Sequence, residues 1–150
     1  MKVSEILQRK GTVVVTIKPS DTVAELSILL SERRIGAAVV SDDGVTIDGF
    51  VSERDIAYNL CIHRANLCSM PVSGIMKKVV ITCAPDDDVA KVASAMHAHG
   101  IRHIPVVEGN RAAGMVSIRD LLNVRVDDLQ KEAAMLRTLA NGSQAEAHDR

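Results

Sequence analysis

The chain has almost no aromatic side chains, since its 150 residues include one phenylalanine, one tyrosine and no tryptophan. Proteins that bind single-stranded nucleic acid stack the bases on several aromatic rings, so this composition disfavours that class. Any flat ligand must be held by aliphatic side chains. Charge of one sign is also missing. The 18 basic and 19 acidic residues leave a net charge of −1, which provides no attractive field for nucleic acid or an anionic membrane.

Long apolar runs are absent as well. The longest, such as residues 37–40, fall far short of a membrane span, and the N-terminus shows no signal-peptide pattern. Three cysteines, Cys61, Cys68 and Cys83, form neither an even set nor a Cys-x-x-Cys pair, so we expect them to be reduced and, for the most part, small buried side chains. These features predict a cytoplasmic protein. At 150 residues the chain is long enough for one good core rather than two independent ones.

Signatures of catalysis and of metal binding are lacking too. The sequence has no nucleophile elbow, no P-loop and no Gly-x-Gly-x-x-Gly, which argues against a hydrolytic or redox enzyme. His97, His99 and His103 lie close in sequence. Positions 97 and 99 face apart on a helix, however, and no Cys-x-x-Cys completes a ligand set. We therefore expect neither an enzyme nor a metal site.

What the chain does contain is an internal repeat. Gly-Phe-Val-Ser-Glu-Arg-Asp at residues 49–55 returns as Gly-Met-Val-Ser-Ile-Arg-Asp at residues 114–120. Each copy has the pattern of a strand end, a polar turn and the start of an apolar-periodic helix. The first N–H groups of such a helix have no partner within the helix and suit a bound anion. The repeat therefore predicts two equivalent anion-binding turns.

A purely structural role for the same residues stays open. Ser52 with Asp55, and Ser117 with Asp120, have the spacing of a capping box, in which serine and acid satisfy the first turn of the helix. A cap, however, requires neither the arginine nor the upstream glycine that both copies share.

The repeat extends over the whole chain. Val-Ser-x-Ile opens each copy, and the later elements recur in order: β-branched runs at 12–17 and 79–82, Pro19 and Pro85, capping residues at 20–22 and 86–88, strands at 35–40 and 101–106, and turns at 42–44 and 108–110. Each copy is thus predicted to be β-α-β-β-α. Gly100 is expected to end the helix of the second copy, whereas Arg34 holds the equivalent position in the first, which should end differently.

We divide the chain into a first repeat with its N-terminal segment (1–66), a second repeat (67–125), a C-terminal helix (126–140) and a tail (141–150) expected to be disordered. The helix has an apolar stripe that exceeds what the repeats need, formed by Val126, Leu129, Ala133, Leu136 and Ala140. Together with the surfaces of the helices that follow Thr22 and Asp88, this stripe would leave a larger exposed apolar patch than a monomer usually tolerates, which predicts a homodimer.

The two motifs, the prolines after the first strands and Arg-His-Ile-Pro-Val at residues 102–106 make the chain resemble a tandem pair of cystathionine β-synthase (CBS) domains over residues 1 to about 125. It is also similar to small stand-alone bacterial proteins of that family. The resemblance implies an α+β (α/β) fold with two intertwined β-α-β-β-α repeats packed as one pair, plus a C-terminal helix.

The same resemblance implies a regulatory module for an unidentified protein. It implies that an adenosine-type ligand, namely AMP, ADP, ATP, NAD or S-adenosylmethionine, binds in two clefts between the repeats, with AMP the first choice and no cofactor required. The alternative is a dimerisation or docking module that has no physiological nucleotide ligand. A melting-temperature shift with these nucleotides separates the two.

The resemblance and the residue chemistry together assign the site. An ionised aspartate is acceptor-only, so Asp55 and Asp120 suit the ribose diol. The serine hydroxyls with the helix N-termini suit phosphate, aided by the arginines. The phosphate residues are Ser52 and Arg54 in the first cleft, and Ser117 and Arg119 in the second.

Adenine is placed on the apolar side of each cleft. In the first cleft it lies against Ile17, Pro19 and Ala38, with its edge at the backbone near Lys18; in the second it lies against Cys83, Pro85, Ile104 and Pro105, with Thr82 and the backbone near Ala84 beside it. Arg102 and His103 face the second cleft where the first copy has Gly36 and Ala37, so the Asp120 site should be tighter. His103 fits a partly buried structural histidine equally well.

Overall fold

The computed structural model describes residues 1–148. In chain order its elements are α1 (Val3–Lys10), β1 (Thr16–Ile17), α2 (Val23–Arg33), β2 (Ala37–Val40), β3 (Gly49–Ser52), α3 (Glu53–His63), α4 (Val89–His99), β4 (His103–Glu108), β5 (Arg111–Ser117) and α5 (Ile118–His148). Two short 3₁₀ turns, Arg64–Ser69 and Val72–Gly74, link the repeats. The predicted α+β fold is confirmed. No helix in this part of the chain is both long and apolar enough to cross a bilayer.

The strands form two small sheets, one for each repeat. β1 runs parallel to β2, and β2 antiparallel to β3, while β4 and β5 form an antiparallel pair. The strand predicted at 79–82 does not form, and a single parallel bridge between Cys83 and Val106 stands beside β4 instead. Val79 is 90% exposed and, within this run, Ile81 alone packs on the core of the second repeat, so the run has too small a buried face to hold a strand in place. The run at 12–17 is likewise reduced to β1.

The ends of α2 and α4 are more alike than predicted. Gly100 ends α4 in the left-handed region at φ 62°, as expected. Arg34 ends α2 in the same region at φ 53°, where a different ending was predicted. A residue with a Cβ pays a modest steric cost in this conformation. The N–H of Arg34 nevertheless bonds to the carbonyls of Leu30 and Ser31, so the helix closes in the usual way.

The two repeats exchange the segments that precede their first strands. We call residues 3–10 and 72–77 the lead segments. Val3, Ile6 and Leu7 of the first lead segment are buried in the core of the second repeat, beside Ile104 and Val116. In return, Val72 and Ile75 of the second lead segment are buried in the core of the first repeat. The predicted intertwining therefore rests on this exchange.

The glycine of each repeated motif makes room for the exchange. A Cβ on Gly114 would lie 2.7 Å from Leu7 Cδ2, and one on Gly49 would lie 2.8 Å from Met76 Sδ and 2.9 Å from the Lys77 carbonyl oxygen. At Gly49 the clash includes backbone, so a side chain would require a shift of the second lead segment, whereas at Gly114 the buried Leu7 side chain would have to move. The shared glycine that a helix cap did not explain is thus a packing requirement of the fold.

The last helix is longer than predicted at its C-terminal end. The helix that follows the second motif turn and the predicted C-terminal helix (126–140) are one continuous helix, α5, which runs from Ile118 to His148. Residues 141–148 are therefore helical where a disordered tail was predicted, and residues 149–150 lie outside the described part. Gly142 costs the helix only about 1 kcal/mol. The Ser143 hydroxyl donates to the Leu139 carbonyl within the helix (3.0 Å).

Candidate functional site

Both motif turns form the capping contacts that their sequence allows. The Ser117 N–H donates to Asp120 Oδ2 (2.8 Å), and the Asp120 N–H donates back to Ser117 Oγ (3.3 Å). In the first repeat, the Ser52 N–H (2.8 Å) and hydroxyl (3.1 Å) both donate to Asp55 Oδ2. Each cap uses one carboxylate oxygen, and a carboxylate has two. Capping and ligand binding are therefore compatible in one residue.

A lysine from the opposite lead segment reaches each of these aspartates. Lys10 Nζ donates to Asp120 Oδ2 (2.8 Å) and to the Met115 carbonyl (2.9 Å). Lys77 Nζ lies 3.8 Å from Asp55 Oδ1. The two pairs are equivalent in the repeat, and each joins one repeat to the other. Both carboxylates are largely buried, since the Asp55 side chain is 9% exposed and the Asp120 side chain is 15% exposed.

A cavity of about 620 Å³ opens over the Asp120 turn. Its size lies within the range of small-molecule sites. Both repeats contribute to the wall, which is largely aliphatic: Val13, Val15, Leu30, Ile35, Ala37, Met115 and Ile118. Ser117 and Asp120 lie on one side of the cavity, at the N-terminus of α5. We call this space the large cavity.

The charged side chains of the large cavity favour an anion. Lys10, Arg34, Arg102 and Arg119 line it, against two acids, Glu53 and Asp120. The N-terminus of α5 adds the positive end of the helix dipole, although the Ile118 N–H already donates to the Arg102 carbonyl (2.8 Å) and the Asp120 N–H to Ser117 Oγ (3.3 Å). The four basic side chains and the N-terminus of α5 thus border the same cavity.

The turn at Asp55 faces much less room. A cavity of about 50 Å³, the small cavity, is lined by Ser52, Arg54 and Lys77 together with the residues around Gly100. Arg54 is already engaged, because its Nη1 donates to the Gly100 carbonyl (2.8 Å). The small cavity has room for little more than ordered water. The two motif turns therefore differ in the space available for a ligand.

His103 lies in the wall between the two cavities. It lines both, and so do Gly36, Glu53 and Arg102. A Cβ on Gly36 would lie 3.1 Å from the His103 ring and 3.3 Å from Glu53 Oε1, so the three residues are in close contact. Burial lowers the pKa of His103, and the Glu53 carboxylate opposes that effect only in part. The imidazole is therefore neutral near pH 7.

The predicted phosphate and ribose residues of the second cleft meet in the large cavity. Arg102, His103, Ser117, Arg119 and Asp120 all line it. The predicted adenine side of that cleft does not. Ile104 and Pro105 are fully buried and Cys83 is 6% exposed, while Thr82, Ala84 and Pro85 are elsewhere on the surface or partly covered. Strand β4 turns His103 to the cavity and Ile104 to the core, because neighbouring residues on a strand face opposite sides.

The adenine side predicted for the first cleft is displaced in the same way. Ile17 and Ala38 are buried in the core of the first repeat. The backbone near Lys18 is occupied, since its N–H donates to Asp21 Oδ2 (3.1 Å). The equivalent Ala84 N–H donates to Asp87 Oδ2 (2.8 Å). Neither N–H can read the edge of a base without giving up its carboxylate partner.

Several cavity residues were not foreseen from the sequence. Lys10, Arg34 and Glu53 carry charge into the large cavity, and Val13 and Val15 come from the segment after α1. One signal for the lysines was present: a basic pair follows each Val-Ser-x-Ile opening, as Arg9-Lys10 and as Lys77-Lys78. Among residues 1–148, no three potential metal ligands lie together.

Comparison with known proteins identifies the family. The family model described as "CBS domain" matches residues 3–61 and again residues 72–127. The CBS-domain protein ATU1752 from Agrobacterium tumefaciens superposes with a TM-score of 0.80 at 35% identity, covering 83% of this chain and 99% of its own. PAE2072 from Pyrobaculum aerophilum, solved with AMP, gives a TM-score of 0.71 at 32% identity, with coverages of 80% and 89%.

A third related structure is the CBS domain pair of MJ0100, solved with 5′-methylthioadenosine and S-adenosylmethionine. It gives a TM-score of 0.76 at 25% identity, covering 85% of this chain and 98% of its own. The family model and the three related structures agree that both repeats are CBS domains. The chain therefore belongs to the CBS-domain family and consists of a tandem pair of these domains with a long C-terminal helix.

Proposed function

We propose that the large cavity binds an adenosine nucleotide, with AMP as the first choice, and that the protein is a regulatory module rather than an enzyme. The observation that carries this proposal is the carboxylate of Asp120 at the cavity wall. Its Oδ2 accepts from the Ser117 N–H and from Lys10, and no donor within residues 1–148 reaches Oδ1. That free oxygen is the acceptor for the ribose hydroxyls.

The rest of the cavity complements the other parts of the ligand. The phosphate belongs near the N-terminus of α5, where Arg119 and Arg102 supply charge-assisted hydrogen bonds. The base belongs against the aliphatic wall formed by Val13, Val15 and Ile35. This placement differs from the adenine contacts expected from the sequence, because those residues do not line the large cavity.

Two related proteins support the ligand class. PAE2072 was solved with AMP, and the MJ0100 pair with methylthioadenosine and S-adenosylmethionine, which share the adenosine group. The small cavity would need to enlarge before it could take a nucleotide. We therefore assign one high-affinity site to each chain, at Asp120.

We also propose that the chain acts as a homodimer and transmits ligand occupancy to a protein partner. Apolar side chains on α5 are widely exposed, among them Leu136 at 67% and Leu139 at 64%. The rival function, a docking module without a nucleotide, draws on the same exposed surface. It differs in one respect, since it predicts no nucleotide-dependent change in stability.

A melting experiment with AMP, ADP, ATP, NAD and S-adenosylmethionine, and with inorganic phosphate as the control, separates the two functions. At least one adenosine ligand should raise the melting temperature by several degrees at saturation. Absence of a shift with all five would contradict the nucleotide function.

Val13→Glu locates the site. Val13 is 82% exposed and lines the large cavity, so a carboxylate there should repel the nucleotide without unfolding the protein. Val79→Glu is the matched control, because Val79 holds the equivalent position in the repeat, is 90% exposed and lies outside the large cavity. A ligand shift that survives Val13→Glu unchanged would place the site elsewhere.

A further inference from the structure

Helix α5 leaves the body of the protein soon after it begins. Val124 and Leu121 pack on the core of the second repeat. An exposed ion pair between Arg9 and Asp127 (3.9 Å) follows. From residue 129 to residue 144 every side chain is exposed except Ala133, which is half-buried. The second match of the CBS family model ends at residue 127, so this extension is an addition to the shared domain.

An isolated extension of this kind needs a partner. In water, most of the stability of a helix comes from packing of its apolar face rather than from intrinsic propensity. The extension also contains Gly142, which lowers its propensity further. Large apolar side chains that remain bare along it include Leu129, Met135, Leu136 and Leu139. Its helical state therefore indicates a surface that is covered in the assembled protein.

The spacing of the apolar residues indicates that another helix covers this surface. Leu122, Val126, Leu129, Ala133, Leu136 and Ala140 alternate in steps of four and three residues. This alternation is the heptad seam of a coiled coil, with Val126 and Ala133 at a positions and Leu129 and Leu136 at d positions. Of the other exposed apolar side chains, Leu139 falls at a g position that flanks the seam, and Met135 at an outward-facing c position. A helix that packs on a globular body usually carries a broader stripe.

The charges beside the seam specify the orientation. In this register Glu132 is a g position and Arg137 is the e position of the next heptad. In a parallel pair, Glu132 faces Arg137 of the partner subunit, and the contact occurs twice. An antiparallel pair with the same overlap brings Glu132 next to its own copy, which is repulsive. The seam is therefore complementary to itself in the parallel arrangement.

We infer that residues 122–140 form a parallel, in-register, two-stranded coiled coil with a second copy of this chain. The inference rests on the homodimer of the proposed function and defines its geometry. Because α5 also supplies the Ser117 and Asp120 turn, one helix runs from the large cavity into the dimer seam. The large cavities of the two subunits then lie at the same end of the coiled coil.

Disulfide trapping tests the register. Leu136→Cys and Lys131→Cys are each made with Cys61→Ser and Cys68→Ser, since those two native thiols are exposed. In the parallel coil, position 136 meets its own copy at the seam, whereas position 131 points outward. Mild oxidation should convert most of the Leu136→Cys protein to a linked dimer and leave the Lys131→Cys protein unlinked.

Light scattering on the unmodified chain separates the possible failures. A dimer mass without a link at position 136 would overturn the coiled coil and leave the proposed homodimer standing. A monomer mass would overturn both, although nucleotide binding is judged independently by the melting shift. Equal linkage at positions 131 and 136 would show random collision and would also overturn the seam.

Charge reversal tests the orientation. Glu132→Arg or Arg137→Glu alone should raise the dimer dissociation constant about tenfold, because two attractive contacts become repulsive. The double variant should restore the dimer. If the double variant is no better than either single one, the helices are not parallel in this register.

Discussion

The substitution Asp120→Asn tests the role of the carboxylate, and its effect can be worked out from the structure. Asn retains one oxygen that can accept from the Ser117 N–H, so the cap survives in part. The ion pair with Lys10 is lost, but the Lys10 side chain is 36% exposed, so the pair contributes little. Without ligand, the variant should lose only about 1 kcal/mol of stability.

The ligand response should fall much more. Nucleotide at 100 times the wild-type dissociation constant adds about 2.7 kcal/mol, which raises the melting temperature by roughly 8 °C for a chain of this length. Loss of a charge-assisted hydrogen bond of about 2 kcal/mol weakens binding about 30-fold. At the same ligand concentration the gain then falls to about 0.9 kcal/mol, or roughly 3 °C.

Asp55→Asn is the matched control, measured by the same melting assay with AMP. Asp55 is 6% exposed and accepts two hydrogen bonds from Ser52, so this variant should lose more ligand-free stability, about 1–2 kcal/mol. Its AMP shift should stay close to that of the wild type, because Asp55 does not line the large cavity. The reasoning is refuted if Asp120→Asn keeps the full AMP shift.

Three further predictions concern the ligand, the histidine and the thiols. AMP should bind at least several-fold more tightly than 2′-deoxy-AMP in calorimetry, because the deoxy ligand lacks one of the two hydroxyl donors for the Asp120 carboxylate. Equal affinities would show that Asp120 does not recognise the ribose. Burial places the folded-state pKa of His103 below its ordinary value of about 6.5, so its contribution to stability is complete above that pH and is lost as the pH falls below it. Urea unfolding of His103→Gln between pH 5 and 8 should accordingly show a weaker loss on the acid side than the wild type, and parallel curves would contradict the assignment. Burial raises the pKa of the Cys83 thiol to about 11, whereas Cys61 and Cys68 are exposed. A thiol reagent at pH 8 should therefore label two cysteines in the folded protein and the third only after unfolding, and rapid labelling of all three would show that Cys83 is accessible.

The repeat made most of the fold predictable. Element order and the tandem CBS architecture follow from residues that recur in register, and the end of α4 follows from Gly100 alone. The strand at 79–82 failed because a β-branched run predicts a strand only where one face is buried, and Val79 is bare. The predicted end of the last helix was wrong because Asn141 and Gly142 are typical of a helix end, although α5 continues through both.

The site was less predictable because it depends on the exchange of lead segments. The positions of Ser117, Arg119 and Asp120 on the large cavity follow from local pattern. The contribution of Lys10 depends on a contact across 110 residues of chain, which no local pattern encodes. Two residues expected to hold the base, Ala38 and Ile104, are buried, whereas their chain neighbours Ala37 and His103 line the large cavity, because adjacent residues of a strand face opposite sides.

The measurement that tests the central claim most directly is a crystal structure of the protein with AMP. The account predicts one nucleotide in the large cavity of each chain. Its ribose hydroxyls should lie within hydrogen-bonding distance of Asp120 Oδ1, its phosphate near Arg119, and its base against Val13 and Val15. A nucleotide that instead lies against residues 82–85, or occupies only the turn at Asp55, would contradict the account.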